Sequence, residues 1–177
     1  MATTTWQLDP THSEVTFRVR HLMVSTVTGK FKKFASALST DGSDDFSTAN
    51  LEFSVDAASI DTGVEDRDNH LRSDDFFAAD KFPSLHFKAR SLKPTGDNQY
   101  QLDGDLTIRD ITKPVTFDVE LGGVAKDPWG NIKAGFEVSG KIQRKAFGLQ
   151  WDALTEAGGA VVGDEVKIQA NVQYVKG

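Results

Sequence analysis

The fold is decided by residues 14–21, EVTFRVRH, in which apolar and polar side chains alternate. Val15, Phe17 and Val19 share one face of this stretch, and charged or hydroxyl side chains share the other. A period of two is typical of a strand that buries one face and exposes the other. The stretch therefore predicts a half-buried strand of an antiparallel sheet.

The same alternation continues outward from this strand along the chain. It recurs over residues 51–55, 85–89, 102–108, 115–121, 132–142 and 166–172, and less clearly over residues 31–40. Eight strands with polar outer faces, separated by turn-forming residues, predict an all-β fold, an antiparallel barrel or sandwich. An even number of strands suits closure into a barrel, whose interior is filled by side chains or holds one small ligand.

Size and charge exclude several classes of protein. The chain has 177 residues, which is the length of one domain, so we expect a single domain over residues 1–177. It carries 20 Lys and Arg against 26 Asp and Glu, a net charge of −6, without a basic block, so nucleic-acid binding is not expected. No run approaches the ~18 apolar residues of a membrane-spanning helix, so membrane insertion is not expected either.

The N-terminal residues do not resemble a signal peptide, because no basic segment precedes an apolar stretch there. We therefore expect a cytoplasmic protein, or a periplasmic one if a leader has been removed. The absence of cysteine excludes disulfides, thiolate metal ligands and thiol nucleophiles.

Two segments interrupt the strand pattern. Thr62 and Glu65 have the spacing of a capping box, which predicts a short helix near residues 63–72. Arg67 and Asp68 lie on the apolar arc of that helix, so they either anchor it as a plug or face a polar ligand. The long interval 145–164, which carries Trp151, predicts a lid or binding loop.

A few polar residues fall on the inward face. His21 is in phase with the apolar residues of its strand, and Arg144 is in phase with those of residues 132–142; each is either a satisfied core residue or a contact for a polar ligand. His70 lies at the edge of the helical arc, and His86 is predicted to face solvent. The four histidines lack metal-binding spacing, and no nucleophile elbow is present, so we expect neither a metal nor a cofactor.

Aromatic residues dominate the predicted interior. Phe17, Phe53, Phe87, Phe117 and Phe136 point inward from five different strands. If the barrel is not filled, such a lumen suits a long apolar ligand.

Several linked motifs resemble the YceI-like family over nearly the whole chain. They are Trp6-x-Leu8-Asp9-Pro10-x-His12-Ser13, Phe17-x-Val19-x-His21-Leu22, Val27-x-Gly29-x-Phe31, Ser59-Ile60-Asp61-Thr62-Gly63, Arg67-Asp68-x-His70-Leu71-x-Ser73-x-x-Phe76-Phe77, Phe82-Pro83, Gly104-x-Leu106-Thr107-Ile108, Thr112-Lys113-Pro114-Val115 and Arg144 with Phe147-Gly148. One departure is Asp110, where the family usually has a glycine; it concerns only the geometry of that turn.

The resemblance implies a lipocalin-like barrel that takes up an isoprenoid or another long-chain lipid, often as a homodimer, and that binds without turnover. It implies a carrier, storage or stress-response role. Apolar inward residues would hold the chain of the ligand. His21, Arg67, Asp68, His70 and Arg144 are candidates for its head group or for the barrel mouth.

Two alternatives stay open beside this reading. One is an enzyme acting on such a lipid, with His21 or His70 as general base and Asp68 as its orienting partner. The other is a barrel filled by its own side chains that binds a protein on its outer face, against which the polar outer faces of the strands argue.

Overall fold

Strands make up most of the computed structural model, which describes residues 3–21, 24–41, 46–149 and 162–177. The strands are β1 (Thr4–Leu8), β2 (Glu14–His21), β3 (Ser25–Phe31), β4 (Phe34–Thr40), β5 (Asn50–Asp56), β6 (Ile60–Asp61), β7 (Ser84–Gly96), β8 (Gln99–Ile108), β9 (Ile111–Lys126), β10 (Ile132–Gln143) and β11 (Val162–Lys176). One α-helix, α1 (Glu65–Arg72), lies between β6 and β7, and short 3-10 helices cover Pro10–His12, Phe46–Thr48, Ala57–Ser59 and Arg144–Phe147.

The strands form a closed antiparallel ring. β1 and β2 are two halves of one kinked strand, since both pair with β11. β3 and β4 are likewise two halves of the next strand, and β5 and β6 of the third. From there β7 to β11 pair in chain order, and β11 returns to β1 and β2. Counted with the halves joined, the ring has eight strands, which confirms the predicted eight-stranded antiparallel barrel.

The kinks have local causes. Asp9 accepts a hydrogen bond from the Thr11 backbone N–H, and Pro10 starts the following 3-10 turn without an N–H to donate. At the second and third kinks, Lys32 N–H donates to the Ser59 carbonyl and Asp56 N–H donates to the Lys33 carbonyl. Adjacent kinks thus satisfy some of each other's backbone groups where the wall bends.

Aromatic side chains close one end of the barrel. Trp6 and Phe46 are each 1% exposed, with ring centroids 5.3 Å apart. Phe46 also meets Phe136 edge-on at 5.0 Å, and Phe136 meets Tyr174 at 6.1 Å. We call these four residues the aromatic floor. The opposite end, where β10 finishes and β11 begins, is the mouth.

The helix begins later than the sequence predicts, and the capping box is wrong. Val64 is the N-cap residue of α1 and makes no side-chain cap bond. Thr62 lies two residues before it, and its hydroxyl donates to Asp68 instead. Between them Gly63 takes a left-handed conformation, with φ of +86°, so the chain turns before the helix starts.

Candidate functional site

A cavity of about 240 Å³ occupies the lumen between the aromatic floor and the mouth. Inward side chains from every strand of the ring line it, together with Leu71 of α1 and Phe76 and Phe77 after it. The lining is apolar apart from a few polar groups, chiefly Arg144. For comparison, an apolar cavity of about 150 Å³ inside a protein stays dry and accepts benzene. The lumen is therefore large enough to hold an apolar group without displacing the wall.

The structure brings the predicted apolar residues together around this cavity. Its lining includes the following six: Phe17, Val19, Phe53, Phe87, Phe117 and Phe136. Trp151 and the side chain of His21 lie outside the described residues, so their predicted contacts with a ligand stay predictions. The exposed His86 matches its predicted position on the outer face.

Three of the lining phenylalanines lie flat against the wall, each over an inward glycine of a neighbouring strand. A Cβ placed on Gly29 would come within 2.3 Å of Phe17 Cζ, and one on Gly140 within 2.4 Å of Phe117 Cδ1. A Cβ on Gly104 would come within 2.4 Å of Phe87 Cζ. We call these three the wall glycines.

The wall glycines were missed in the sequence, although a signal was present. Each is in phase with the inward apolar residues of its strand, at a position where a side chain is otherwise expected. An inward glycine in a strand marks close approach by another group. Such a position opposite or diagonal to an inward phenylalanine predicts a ring folded onto the wall.

Arg144 lies inside the mouth and is 3% exposed. Its Nε donates to the Gly163 carbonyl at 2.8 Å and its Nη1 to the Leu149 carbonyl at 2.6 Å. These bonds offset part of the cost of burying a cation. Leu149 follows the 3-10 helix after β10, and Gly163 lies at the start of β11, so Arg144 joins the outgoing and returning chain at the rim of the lumen.

Arg67 and Asp68 do not line the lumen. Arg67 donates from Nε to the Thr62 hydroxyl and from Nη2 to the Thr62 carbonyl, both at 2.7 Å. Asp68, 7% exposed, accepts from the Thr62 backbone N–H at 2.8 Å and from its hydroxyl. Of the two roles considered for this pair, these contacts are those of a helix anchor. Arg72, which the sequence did not single out, adds bonds to the Ala58 and Ile60 carbonyls.

His70 is not brought to Asp68 or to the cavity lining. Its Nε2 lies 2.8 Å from Asp75 Oδ2, and its ring meets Phe76 edge-on. The acid–base pair of His70 and Asp68 considered for an enzyme is therefore not assembled. Within the described ranges, no cluster of three metal-ligating side chains occurs, and no helix there is long and apolar enough to cross a bilayer.

Among the described groups whose pKa values are displaced, Tyr174 and Asp9 have the largest shifts. Burial raises the pKa of the floor residue Tyr174 to about 12, although its hydroxyl lies 2.8 Å from Ser36 Oγ. At the first kink, hydrogen bonds from Thr11 and His12 lower the pKa of Asp9 to about 2. The His12 ring nitrogen Nδ1 lies 2.7 Å from Asp9 Oδ2.

Comparison with known proteins gives consistent results at the level of sequence. Residues 6–174 match the model of the YceI-like domain. A UPF0312 protein of Staphylococcus epidermidis is 40% identical over 172 residues, which cover 97% of each chain. A UPF0312 protein of Staphylococcus aureus is 39% identical over the same share of both chains.

Solved structures show the same barrel. The YCEI protein of Campylobacter jejuni superposes with a TM-score of 0.76 at 31% identity, over 89% of this chain and 90% of that one. BcnA of Burkholderia cenocepacia superposes at 0.79 with 25% identity, over 94% and 98%. A polyisoprenoid binding domain from Saccharophagus degradans shares the fold at 0.67 with 14% identity, over 97% and 98%.

The motifs resembling the family, the eight-stranded ring they build and the match from Trp6 to Tyr174 agree with one another. The chain belongs to the YceI-like domain family.

Proposed function

We propose that this protein binds a long-chain isoprenoid or related lipid, such as a polyprenyl lipid or a prenylated quinone, in the barrel lumen and carries or stores it. The observation that carries the proposal is the apolar cavity of about 240 Å³, which lies between the aromatic floor and the end of the barrel where Arg144 is buried. The polyisoprenoid binding domain from Saccharophagus degradans supports it as a relative in fold.

Burial of the chain would supply most of the affinity. Each CH2 group removed from water contributes about 0.8 kcal/mol, whereas a polar contact contributes about 1 kcal/mol. Ten buried carbons therefore outweigh one or two head-group contacts, and tolerance for chain type follows. The head group would lie at the mouth, where the Arg144 guanidinium favours a carbonyl or anionic oxygen.

The first test is native mass spectrometry of the purified protein, followed by organic extraction and mass analysis of what is released. We expect a stoichiometric adduct with masses spaced by isoprene units. The same spectrum reports whether the protein is the homodimer that the family resemblance implies. A protein that stays without adduct after incubation with prenyl quinones and fatty acids would overturn the proposal in favour of the filled, partner-binding barrel.

A matched pair of variants locates the ligand in the lumen. Ala89 lines the cavity on β7, whereas Ala37 is exposed on β4. Ala89→Trp should fill the lumen and abolish the adduct, while Ala37→Trp should keep it. Equal binding by both variants would place the ligand elsewhere.

The cytoplasmic location stays a prediction. Fractionation of cells that express the untagged protein checks it, since a periplasmic protein is released by osmotic shock and a cytoplasmic one is not. The carrier or storage role is checked by transfer of bound lipid from the protein to acceptor vesicles.

A further inference from the structure

The wall glycines determine where three aromatic rings lie. Phe17 faces Gly29 directly across the β2–β3 pair. The nearest contacts of a Cβ at Gly29 would be ring atoms of Phe17, at 2.3 to 3.0 Å, where ordinary contact begins at 3.4 Å. A side chain there would displace the ring, and because the wall lies behind the ring, the open direction is the lumen.

The second pair, Phe117 and Gly140, is packed against a third ring, that of Phe87. Phe117 lies over Gly140, and its ring also packs edge-on against Phe87 with centroids 5.6 Å apart. Phe87 in turn lies over Gly104, which pairs directly with the small residue Ala89. The rings of Phe87 and Phe117 thus lie against the wall, next to the small residues Gly104 and Ala89. This arrangement leaves the centre of the barrel open at that level.

A packed core would place these rings in the centre, because aromatic side chains fill space efficiently when they interdigitate. Here the opposite arrangement holds, at three positions on separate strand pairs. The room it creates is lateral: it widens the lumen rather than lengthening it. A straight alkyl chain needs little width, whereas a methyl-branched chain needs more.

We infer that the wall glycines set the width of the lumen and thereby admit methyl-branched chains. Gly29 and Gly140 are specificity-determining residues in this sense, acting through Phe17 and Phe117. The inference rests on the proposed function, since it names the residues that let the lumen at that site accept methyl-branched chains as well as straight ones.

The experiment compares two probes that differ only in branching. Phytol and trans-hexadecenol share the same main chain and a single allylic double bond, but only phytol carries methyl branches. Each is delivered from cyclodextrin, and binding to the full chain is measured by native mass spectrometry and by calorimetric titration. The variants are Gly29→Ala and Gly140→Ala.

We expect each variant to bind phytol about tenfold more weakly, which corresponds to expelling one or two methyl groups. Its affinity for trans-hexadecenol should change less than about threefold. Gly135→Ala is the matched control on the same strand as Gly140, because a Cβ there would have nothing within 4 Å. It should leave both affinities unchanged.

A second set of variants tests whether the ring carries the effect. Phe17→Leu combined with Gly29→Ala, and Phe117→Leu combined with Gly140→Ala, restore room and should restore phytol binding. Gly104→Ala is left out, because its Cβ would also meet the Lys88 carbonyl oxygen at 2.6 Å and so strain the backbone.

The outcomes separate two failures. If the unaltered protein binds neither alcohol, the proposed function is wrong. Suppose the unaltered protein binds both alcohols. If the alanine variants then weaken the binding of both alcohols equally, or leave both affinities unchanged, the inference on width is wrong while the proposed function stands. Should the single alanine variants fail to fold, Phe17→Leu and Phe117→Leu provide the test. Weaker phytol binding by either variant would show that the affinity comes from contact with the ring and not from the width of the lumen, and would overturn the inference.

Discussion

Arg144 is the residue where the inward face of the barrel departs from an apolar pattern. The alternation of β10 predicts that its side chain points inward, and the structure agrees. What the pattern left open is the partner. Arg144 Nη1 bonds the Leu149 carbonyl five residues on, whereas its Nε bonds the Gly163 carbonyl of the returning strand, and no local signal encodes that second contact.

Removing this cation should destabilise the protein. Arg144→Leu leaves two inward carbonyls without their donor, and each such loss costs about 1–3 kcal/mol. We expect the free energy of unfolding to fall by about 3 kcal/mol in urea titration. Lys141→Leu is the control, since Lys141 is an exposed cation near the end of β10, three residues before Arg144, and pairs with Glu165 at 3.4 Å. It should cost less than about 1 kcal/mol. Equal losses would mean that Arg144 stabilises the barrel only as a surface cation does.

The ionised carboxylate of Asp9 makes the stability of the folded protein depend on pH. Its pKa is about 2 in the folded protein and 3.8 as the ordinary value. Because the folded pKa is the lower one, the stabilisation is present above about pH 4 and is lost as the pH falls through about 2. We expect the stability difference between the unaltered protein and Asp9→Asn to shrink by about 1 kcal/mol over this range, after allowance for screening at the exposed His12. Unfolding in urea at several pH values measures it.

A control for this prediction is Asp118→Asn, which changes an exposed carboxylate on the outer face of β9. This substitution should change the free energy of unfolding by less than about 0.5 kcal/mol in each of these titrations. A constant difference for Asp9→Asn would contradict the view that the first kink depends on an ionised carboxylate.

At the residue scale, the sequence predicts which side chains point inward and misses how they are arranged. Phe17 and Phe117 were assigned correctly to the inward face. That their rings lie over Gly29 and Gly140 depends on cross-strand neighbours, which alternation along one strand does not report. The distinction between a filled and an open lumen lies in that arrangement.

At the scale of elements, α1 is fastened by its N-terminal connection more than by its own caps. Asp68 accepts two hydrogen bonds from Thr62, and Arg67 returns two to the same residue. The residue that follows β6 and the first turn of the helix are thereby held together. The helix itself is short, and helices of this length are not stable alone.

Asp68→Ala should therefore loosen α1. The substitution removes the buried carboxylate and with it both hydrogen bonds that Thr62 donates to it. Hydrogen bonds to a charged group contribute about 1.5–3 kcal/mol. We expect a loss of about 2 kcal/mol in the free energy of unfolding and faster amide hydrogen exchange over residues 65–72. Asp66→Ala changes an exposed carboxylate in the same turn and should cost below about 0.5 kcal/mol. Unchanged exchange in Asp68→Ala would contradict the anchoring role.

The elements themselves could be predicted well, except where tertiary contacts override local rules. Eight alternating runs predict eight strands, and the kinks that divide three of them follow from a proline and from backbone bonds between neighbouring kinks. The capping box failed because Thr62 has a better partner in Asp68, one turn into the helix. A local motif predicts a cap only when its side chain has no competing hydrogen-bond partner.

At the scale of the whole molecule, binding in the lumen should raise thermal stability. A ligand present at about one hundred times its dissociation constant stabilises the folded state by about 2.7 kcal/mol. For a chain of this size we expect Tm to rise by about 5–10 °C with phytol, measured by calorimetry. Ala89→Trp should show no rise. A rise of equal size in that variant would mean that the lipid binds outside the lumen.

The closure of the ring by β11 has a consequence for the order in which the molecule is made. The strand that seals the barrel pairs with β1, β2 and β10, so it joins the earliest and latest parts of the chain. During synthesis, β1 to β10 emerge first and leave two unsatisfied sheet edges waiting for a partner. Open edges recruit other chains, and contacts between distant residues form slowly. Until β11 has been made and has paired with both edges, the barrel stays open, and we expect this stage to be prone to aggregation.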